Sequence, residues 1–281
     1  MLKQRVVTAL VLLLILLPTL FYHSPTPFCV VTLVLIAAGA WEWAKLNGYG
    51  PGVSLATGLA CVLACAAAWA FGLLEQKLPL LWMLAGGAWV LVSAWVLHSG
   101  VAAWSGHSHG LRLVLGVFAL WLAWLAVAQA RVIGINFLLS ILVLVWVADI
   151  FAYFAGRALG GRFTKNKLAP SISPGKSWEG VWGGLAGVIA LGFFWQWIDV
   201  KWSMTVPSFY SHVGSKSVFL LLIASVFMAA MSVVGDLFES LVKRSAGVKD
   251  SSGLLPGHGG VLDRVDALLP TLPLAMMLYS V

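Results

Sequence analysis

Nine stretches of apolar residues, each close to the length of a membrane-spanning helix, constrain this chain more than any other feature. A transmembrane α-helix needs about 20 apolar residues, and somewhat fewer where the bilayer thins. The nine stretches cover residues 6–22, 28–46, 53–73, 78–97, 111–131, 135–156, 178–198, 217–236 and 267–281, of which the last is short. Charged residues make up only 10% of the chain, against about a quarter in soluble domains. We therefore predict an all-α, polytopic integral membrane helical bundle with about nine transmembrane helices.

The basic residues predict how these helices are oriented. Residues 157–177 hold five basic residues and no acid, and residues 237–266 hold four basic residues. The connections on the other side carry few: Lys77, Arg131, Lys201 and Lys216. Because positive residues concentrate in cytoplasmic loops, we expect a cytoplasmic N-terminus, and we expect both loops rich in basic residues to lie on the cytoplasmic face. This orientation also accounts for the net charge of +7, so nucleic-acid binding is excluded.

Five of the ten carboxylates lie within residues 236–266, at the end of the eighth apolar stretch. If that helix continues past residue 236, one of its faces is polar. This face carries Asp236, Glu239, Ser240 and Lys243, with Arg244 at its edge. The next residues, "SAGVKDSSGLLPGHGG", predict that the helix ends near Gly247 and that a new helix begins near Val261.

Three of these carboxylates can approach one point. Asp263 and Asp266 are three residues apart on the new helix, and a short glycine-rich loop joins that helix to the one that carries Asp236. Carboxylates this close repel each other unless a cation neutralises them, and Mg²⁺ prefers carboxylate oxygens together with substrate phosphates. We therefore predict that Asp236, Asp263 and Asp266 bind Mg²⁺, with a second cation left open. The residues expected to bind phosphate groups around this site are Lys243, Arg244, Lys249 and Arg264.

The glycines of the same loop suggest a second device for binding anions. Gly257, Gly259 and Gly260 leave backbone N–H groups uncovered beside the start of a helix. Solvated charges paired across a loop are the alternative interpretation of the whole segment. The concentration of acids, bases and glycines in a chain with so little charge favours the phosphate and metal site.

Two segments outside this cluster are also candidates. Asp149 shares a helical face with Tyr153 and Gly156, and an intramembrane acid is a functional-site hypothesis by default, with a packing contact as the alternative. In "SISPGKSWEG", Ser173 and Pro174 predict a helix N-cap and a first helical residue. That start would present Lys176 and Ser177 to phosphate; an ordinary cap in a basic loop is the alternative.

Other polar features are expected to be structural. Glu42 and Lys45 are three residues apart, as in a surface ion pair on a helix. His107 and His109 lack a third metal ligand nearby, which favours a polar loop. The three cysteines fall within apolar stretches and are interpreted as small hydrophobic residues.

The run from Ser240 to Asp266 resembles the signature of the phosphatidate cytidylyltransferase, or CDP-diacylglycerol synthase, family. The residues that carry the resemblance are Ser240, Lys243, Arg244, Lys249, Asp250, Ser252, Leu255, Pro256, His258, Gly259, Gly260, Asp263, Arg264 and Asp266. The segments "DIFAYFAGRALG" (149–160) and "SPGKSWEG" (173–180) are also similar to family segments. The second departs from the family pattern at Gly175, where Lys is frequent.

The resemblance implies that the chain condenses CTP with phosphatidic acid to give CDP-diacylglycerol and pyrophosphate, with Mg²⁺ required. The implied catalytic residues are Asp236, Asp263, Lys243, Arg244, Lys249 and Arg264. The implied substrate-binding residues are Asp149, Tyr153, Ser173, Lys176, Ser177, Ser240, Asp250, His258, Gly259 and Gly260. Among them, Asp250 could orient Lys249, and His258 could donate to pyrophosphate, with a purely structural role of His258 in the glycine-rich loop as the alternative.

These expectations divide the chain into N-terminal transmembrane helices, residues 1–134, and a C-terminal catalytic region, residues 135–281. The catalytic loops 157–177 and 237–266 would face the cytoplasm from a bacterial inner membrane, and a homodimer is left open. The carboxylate of Asp263 is expected to face water, so that Asp263→Asn would leave stability near that of the unmodified protein.

Alternative functions make different demands on the sequence. A transporter would place its acids near the bilayer midplane on broken helices, whereas most acids here lie at the membrane boundary. A CDP-alcohol phosphotransferase would show its own Asp-Gly and Ala-Arg pattern, which is absent from the sequence. A lipid kinase that uses CTP is the remaining alternative within lipid metabolism.

Overall fold

Residues 2–280 are described by the structure, a computed structural model. Over this range the chain forms eleven α-helices and no β-strand. The helices are α1 (Leu2–Phe21), α2 (Thr26–Leu46), α3 (Pro51–Ala70), α4 (Pro79–Gly106), α5 (His109–Ile133), α6 (Ile135–Leu159), α7 (Trp178–Lys201), α8 (Phe209–Gly214), α9 (Val218–Ser245), α10 (Leu262–Val265) and α11 (Leu268–Ser280). The predicted all-α class is therefore confirmed.

Eight helices within residues 2–280 have the length and apolar composition of membrane spans, namely α1 to α7 and α9. They correspond to the first eight apolar stretches, and the chain is a polytopic membrane protein. The ninth stretch forms α11, whose 13 residues rise about 20 Å, against about 30 Å of bilayer hydrocarbon. Whether α11 crosses the bilayer stays a prediction.

The core of the molecule forms around α11. Residues Leu269 to Met276 of this helix are buried, and α11 packs against α4, α5 and α9. Within α5 every residue from Leu122 to Arg131 is buried, as expected for a helix that is apolar on all sides. Helices from residues 1–134 and from residues 135–281 thus share one core, and the division into two regions stays a prediction.

Arg131 lies in the last turn of α5, and the expectation that it belongs to a loop was wrong. Only 6% of the residue is exposed. Its Nε donates to the carbonyl oxygen of Leu20 at 2.9 Å, and its Nη2 donates to that of Tyr22 at 2.5 Å. The guanidinium group therefore satisfies carbonyl groups at the end of α1, which have no partner within that helix.

Helices α6 and α7 approach each other closely because α7 presents glycine to α6. A Cβ atom at Gly180 would lie 3.0 Å from the carbonyl oxygen of Ala152, and one at Gly183 would lie 2.2 Å from Cβ of Ala155. Small residues at a helix interface permit this approach in membranes. As a result, the polar end of α6 lies directly beside the start of α7.

Candidate active site

The two loops rich in basic residues meet at one end of the bundle. Nζ of Lys176, in the first loop, lies 2.5 Å from Oδ2 of Asp236 in α9. Nε of Arg244, in the last turn of α9, donates to the carbonyl oxygen of Ile172 at 3.3 Å. Since α9 leads into the second loop, both loops lie at the same end of the molecule, as predicted. Their position in the cytoplasm stays a prediction.

A cavity of about 420 Å³ lies beside this ion pair, between α6, the start of α7 and α9. Its polar lining consists of Asp149, Tyr153, Arg157, Lys176, Ser177 and Asp236. The hydroxyl group of Tyr153 accepts a hydrogen bond from Nη1 of Arg157 at 2.9 Å. The structure therefore brings residues from three separate sequence segments to one cavity.

The start of α7 differs from the sequence prediction. Ser177 is the N-cap, and its Oγ accepts from the backbone N–H of Gly180 at 3.2 Å. Ser173 instead begins a turn that is closed by a hydrogen bond from the N–H of Lys176 to its carbonyl oxygen, at 3.2 Å. The prediction of an N-cap at Ser173 and a helix from Pro174 was wrong, because a Pro-Gly pair favours a turn. This turn leaves Lys176 free to reach Asp236.

Glu179, in the first turn of α7, holds the first loop in place. The residue is only 2% exposed. Its Oε1 accepts from the N–H of Thr164 at 2.8 Å, from the hydroxyl group of Thr164 at 2.9 Å and from the N–H of Phe163 at 3.1 Å. A carboxylate on a rigid helix thus fixes the loop that carries Lys176.

The predicted polar face of α9 is divided between the cavity and the protein interior. Asp236 lies at the cavity, where its Oδ1 accepts from the hydroxyl group of Ser240 at 3.2 Å. Glu239 and Lys243 are 1% and 9% exposed and form an ion pair one helical turn apart. Nζ of Lys243 also lies 2.6 Å from Oδ1 of Asp263, so this ammonium group neutralises two carboxylates.

Asp263 is surrounded by hydrogen-bond donors, with 6% of its side chain exposed. Oδ2 accepts from the N–H of Gly260 at 2.7 Å and from the hydroxyl and N–H groups of Ser251 at 2.8 and 2.9 Å. Burial penalises the charged form, yet the hydrogen bonds from Lys243, Gly260 and Ser251 hold the pKa of Asp263 below its usual value. The expectation that this carboxylate faces water was wrong, because the second loop folds over it.

Glu42, near the C-terminal end of α2, contacts the same loop. The residue is fully buried. Its carboxylate accepts from the backbone N–H groups of Val261 and Leu262 at 2.9 and 2.8 Å, and from the hydroxyl groups of Ser252 and Ser251 at 2.5 and 3.2 Å. The predicted surface pair of Glu42 with Lys45 was wrong, because the loop after α9 covers Glu42.

The backbone donors at the start of α10 therefore bind carboxylates of the chain itself. The N–H of Gly260 serves Asp263, and the next two N–H groups serve Glu42. A Cβ atom at Gly259 would lie 2.6 Å from Oδ2 of Asp263, and one at Gly260 would lie 2.4 Å from Oε1 of Glu42. The prediction that the N–H of Gly260 faces substrate phosphate is corrected accordingly, whereas the same prediction for Gly257 and Gly259 stays a prediction. The absence of a side chain at Gly259 and Gly260 is explained by the close approach of the carboxylates.

Most of the remaining candidates of the second loop are exposed to solvent. Those with exposed side chains are Arg244, Lys249, Asp250 and Arg264. Among the three ion pairs found within residues 2–280, none joins Asp250 to Lys249. His258 is half-buried, and its Nδ1 has no hydrogen-bond partner in the described part of the chain.

Asp266 completes the predicted metal-binding set. Burial, and then the nearby carboxylate of Asp236, raise the pKa of Asp266 to about 7, and Asp149 acts in the same direction. Carboxylates that repel each other in this way fit a divalent cation, for which carboxylate oxygens are preferred ligands. Within residues 2–280, no group of three Asp, Glu, His or Cys side chains is already placed so that it could hold a metal ion. The positive charges next to Asp236 and Asp263 are the ammonium groups of Lys176 and Lys243.

Known proteins resemble the chain along its whole length. The model described as the Cytidylyltransferase family matches residues 3–281. The chain belongs to this family. It is 39% identical to a phosphatidate cytidylyltransferase of Pseudomonas aeruginosa, with 100% of this chain and 98% of the relative covered. It is 37% identical to one of Haemophilus influenzae, with 99% of each chain covered, and 33% identical to one of Brucella abortus, with 99% and 92% covered.

A cytidylyltransferase has to neutralise a nucleoside triphosphate while it positions a second substrate. The cavity beside Asp236 is lined by the carboxylates of Asp149 and Asp236 and by the basic groups of Arg157 and Lys176. Sequence reasoning missed Glu42 and Glu179, which hold the two loops of this family member in place. Both acids stand next to tryptophan, in "WEW" and "WEG", and an acid inside an apolar run is a functional signal by default.

Proposed function

We propose that this chain transfers the cytidylyl group of CTP to phosphatidic acid, giving CDP-diacylglycerol and pyrophosphate. The observation that carries the proposal is the end-to-end similarity to proteins named phosphatidate cytidylyltransferase. The site supports it, because carboxylates and basic groups from two loops meet where α9 reaches one end of the bundle. A lipid phosphate can reach such a position while its acyl chains stay in the membrane.

The reaction needs positioning and charge neutralisation more than it needs a strong base. The second pKa of a phosphate monoester is about 6, so the attacking oxygen of phosphatidic acid is already anionic near neutral pH. This oxygen attacks the α-phosphorus of CTP. The bond from the α-phosphorus to the oxygen that bridges it to the β-phosphorus breaks, and the electron pair leaves with pyrophosphate.

The basic residues divide into two groups around the substrates. Lys176 and Arg157 line the cavity and neutralise a phosphate bound there. Exposed residues of the second loop approach from water, where CTP enters; these are Arg244, Lys249 and Arg264. His258 donates to the leaving pyrophosphate, and the hydroxyl groups of Ser173 and Ser177 donate to phosphate oxygens beside α7. Lys243 acts from the interior, where it keeps Asp263 charged.

Asp236, Asp263 and Asp266 would hold Mg²⁺, and Asp149 lines the same cavity as Asp236. When bound, the ion supplies charge neutralisation at the reacting phosphates. The support for Asp236 and Asp266 is chemical: both offer carboxylate oxygens, and burial, together with the carboxylates of Asp236 and Asp149, raises the pKa of Asp266 to about 7.

The proposed location is the inner membrane of a bacterium, with the site facing the cytoplasm. The basic residues of both loops lie at one end of the bundle, and bacterial relatives cover the whole chain. This orientation brings the site to the pool of CTP.

A homodimer is also proposed. Helices α6 and α7 expose large aromatic side chains that a second copy can cover: Trp146, Phe154, Trp182 and Phe194. Light scattering of the detergent-solubilised protein measures its mass and so tests this proposal. A mass of one chain would contradict the homodimer and would mean that lipid contacts these aromatic side chains.

The test of the reaction measures pyrophosphate released by purified protein with CTP, Mg²⁺ and phosphatidic acid. Asp236→Asn is the decisive variant, because Asp236 lies at the cavity and is less enclosed than Asp263. We expect Asp236→Asn to lower turnover by about a hundredfold or more. Glu75→Gln is the matched control, since Glu75 is an exposed acid at the opposite end of the bundle.

Two further comparisons separate the alternatives. A lipid kinase would release CDP rather than pyrophosphate and would use diacylglycerol, so both lipids are tested and both products are measured. Pyrophosphate release that depends on phosphatidic acid and is lost in folded Asp236→Asn supports the proposal. Absence of release with phosphatidic acid under varied divalent cations would contradict it.

A further inference from the structure

Glu42 is a buried carboxylate that the proposed reaction does not use. It lies on α2, more than 200 residues before the catalytic loop, and it is fully buried. Within residues 2–280 it forms no ion pair. A buried charge without a cation is costly unless hydrogen bonds replace its hydration. At Glu42 all of these hydrogen bonds come from one short segment of the chain.

That segment is held at both of its ends. Oε1 of Glu42 accepts from the hydroxyl group of Ser252 at 2.5 Å and from the N–H of Val261 at 2.9 Å. Oε2 accepts from the N–H of Leu262 at 2.8 Å and from the hydroxyl group of Ser251 at 3.2 Å. One carboxylate therefore joins residues 251–252 to residues 261–262 and closes the loop between them.

The same contacts link Glu42 to Asp263. The hydroxyl group of Ser251 lies 3.2 Å from Glu42 and 2.8 Å from Oδ2 of Asp263. The backbone of Ser251 also donates to Asp263. Gly260 makes this approach possible, since a Cβ atom there would lie 2.1 Å from Oγ of Ser251 and 2.4 Å from Glu42. A displacement of Glu42 therefore moves the donors that surround Asp263.

We infer that Glu42 is a positioning residue for cytidylyl transfer, an inference that rests on the proposed function. It acts by fixing the loop from Ser251 to Leu262, which carries His258 and whose two ends adjoin Lys249 and Asp263. It does not touch substrate, because the loop itself separates it from water. A basic residue at position 42 could not take over this role, because every group around the carboxylate is a hydrogen-bond donor that needs an acceptor.

Glu42→Gln tests the inference with little change in size. One oxygen becomes an NH₂ group, which cannot accept from the N–H of Val261 or Leu262. We expect faster amide hydrogen exchange in the peptide that covers residues 251–262. We also expect kcat/KM for CTP to fall about ten- to hundredfold, as for the loss of one or two hydrogen bonds to a charged group.

Asp199→Asn is the matched control, because Asp199 is a buried carboxylate at the far end of α7. It is 7% exposed and accepts from Asn136 at 2.8 Å, from the N–H of Ser208 at 2.9 Å and from the hydroxyl group of Ser211 at 2.6 Å. This variant loses hydrogen bonds of the same kind. We expect it to keep the activity of each folded molecule within about twofold and to leave exchange of the loop unchanged.

Ser252→Ala extends the test if Glu42→Gln does not fold. It removes one of the four donors to Glu42 and leaves the charge in place. We expect a smaller change in the same two measurements, that is, faster exchange in residues 251–262 and lower kcat/KM for CTP.

Loop exchange and activity that change together in Glu42→Gln or Ser252→Ala, and not in Asp199→Asn, support the inference. Loop exchange as slow as in the unmodified protein would overturn it, as would an equal loss of activity in Asp199→Asn. An unmodified protein that releases no pyrophosphate from CTP and phosphatidic acid would refute the proposed function instead. Hydrogen exchange would then still decide whether Glu42 holds the loop.

Discussion

At the scale of single residues, Asp263 combines a role in the candidate site with a role in stability. Its carboxylate receives three hydrogen bonds from the loop and an ion pair from Lys243, while little of the side chain is exposed. Removing one partner of a buried ion pair leaves the other charge uncompensated. Loss of activity in an Asp263 variant therefore reports on the fold of the loop as well as on any bound metal ion.

We predict that Asp263→Asn lowers the free energy of unfolding by about 3 kcal/mol. The amide cannot accept all three loop hydrogen bonds, and Lys243 loses one of its two carboxylates. Because the folded state lowers the pKa of Asp263, its charge stabilises the fold above about pH 4, and this contribution disappears as the pH falls further. The difference between variant and unmodified protein should therefore be largest near neutral pH.

Unfolding in detergent, followed by tryptophan fluorescence, measures this difference. Asp250→Asn is the control, because Asp250 is an exposed acid in the same loop and should change stability by less than about 0.5 kcal/mol. An Asp263→Asn protein as stable as Asp250→Asn would show that the buried hydrogen bonds contribute little.

At the scale of helices, the site depends on the close packing of α6 and α7. Asp149 and Tyr153 extend from α6 into the cavity, and Lys176 and Ser177 stand at the start of α7. Glycines on α7 let the two backbones approach. The distance between these helices therefore sets the width of the cavity.

We predict that Gly183→Ala separates α6 from α7 and lowers turnover about tenfold, with a loss of about 1–3 kcal/mol in stability. A Cβ atom at Gly183 would lie 2.2 Å from Cβ of Ala155, which cannot rotate away. Gly87→Ala in α4 is the matched control, because a Cβ atom there meets nothing within 4 Å. The steady-state rate and the midpoint of thermal unfolding measure both effects.

Gly87→Ala should leave turnover unchanged and should not destabilise the protein, since Ala favours a helix over Gly by about 1 kcal/mol. Full activity in Gly183→Ala would mean that the cavity tolerates a wider spacing of the two helices.

At the scale of the whole molecule, the two loops form one polar end on an otherwise apolar bundle. Lys176 of the first loop pairs with Asp236 of α9, which leads into the second loop, and Arg5 of α1 donates to the carbonyl oxygen of Gly257 at 2.9 Å. The first helix therefore reaches the same polar end. Placing this end in the cytoplasm gives the site access to a charged nucleotide that does not cross the membrane.

We predict that Ser171→Cys and Gly253→Cys, each made singly, react with a membrane-impermeant maleimide only after the membrane is permeabilised, when the reagent reaches the cytoplasmic side. Both positions are exposed, and a Cβ atom at Gly253 meets nothing within 4 Å. A cysteine at Lys216, beyond the other end of α9, should react in intact cells. The native cysteines are buried and should give little background.

Mass spectrometry of the labelled protein, before and after permeabilisation of the membrane, measures this accessibility. Labelling of Ser171→Cys in intact cells would contradict the predicted orientation of the chain and would indicate the opposite one. Labelling of Ser171→Cys and Gly253→Cys from opposite sides would contradict the shared polar end.

The sequence by itself determined the elements whose signals are local. Apolar stretches predicted the eight long helices, and glycine and proline marked the loop between α9 and α10. The acids and bases of residues 236–266, together with the family resemblance, indicated where the chemistry lies. Each of these signals depends on residues within a few turns of one another, so periodicity, length and charge suffice to reveal it.

The tertiary structure alone decided which of these charges face substrate and which hold the loops. It buried Lys243 and Asp263, joined Lys176 to Asp236, and moved the N-cap of α7 from Ser173 to Ser177. It also turned Glu42 from an expected surface residue into an acceptor for Val261 and Leu262. A carboxylate in an apolar run has to find donors, but those donors lie more than 200 residues away, and only the packing of α2 against the loop brings them together.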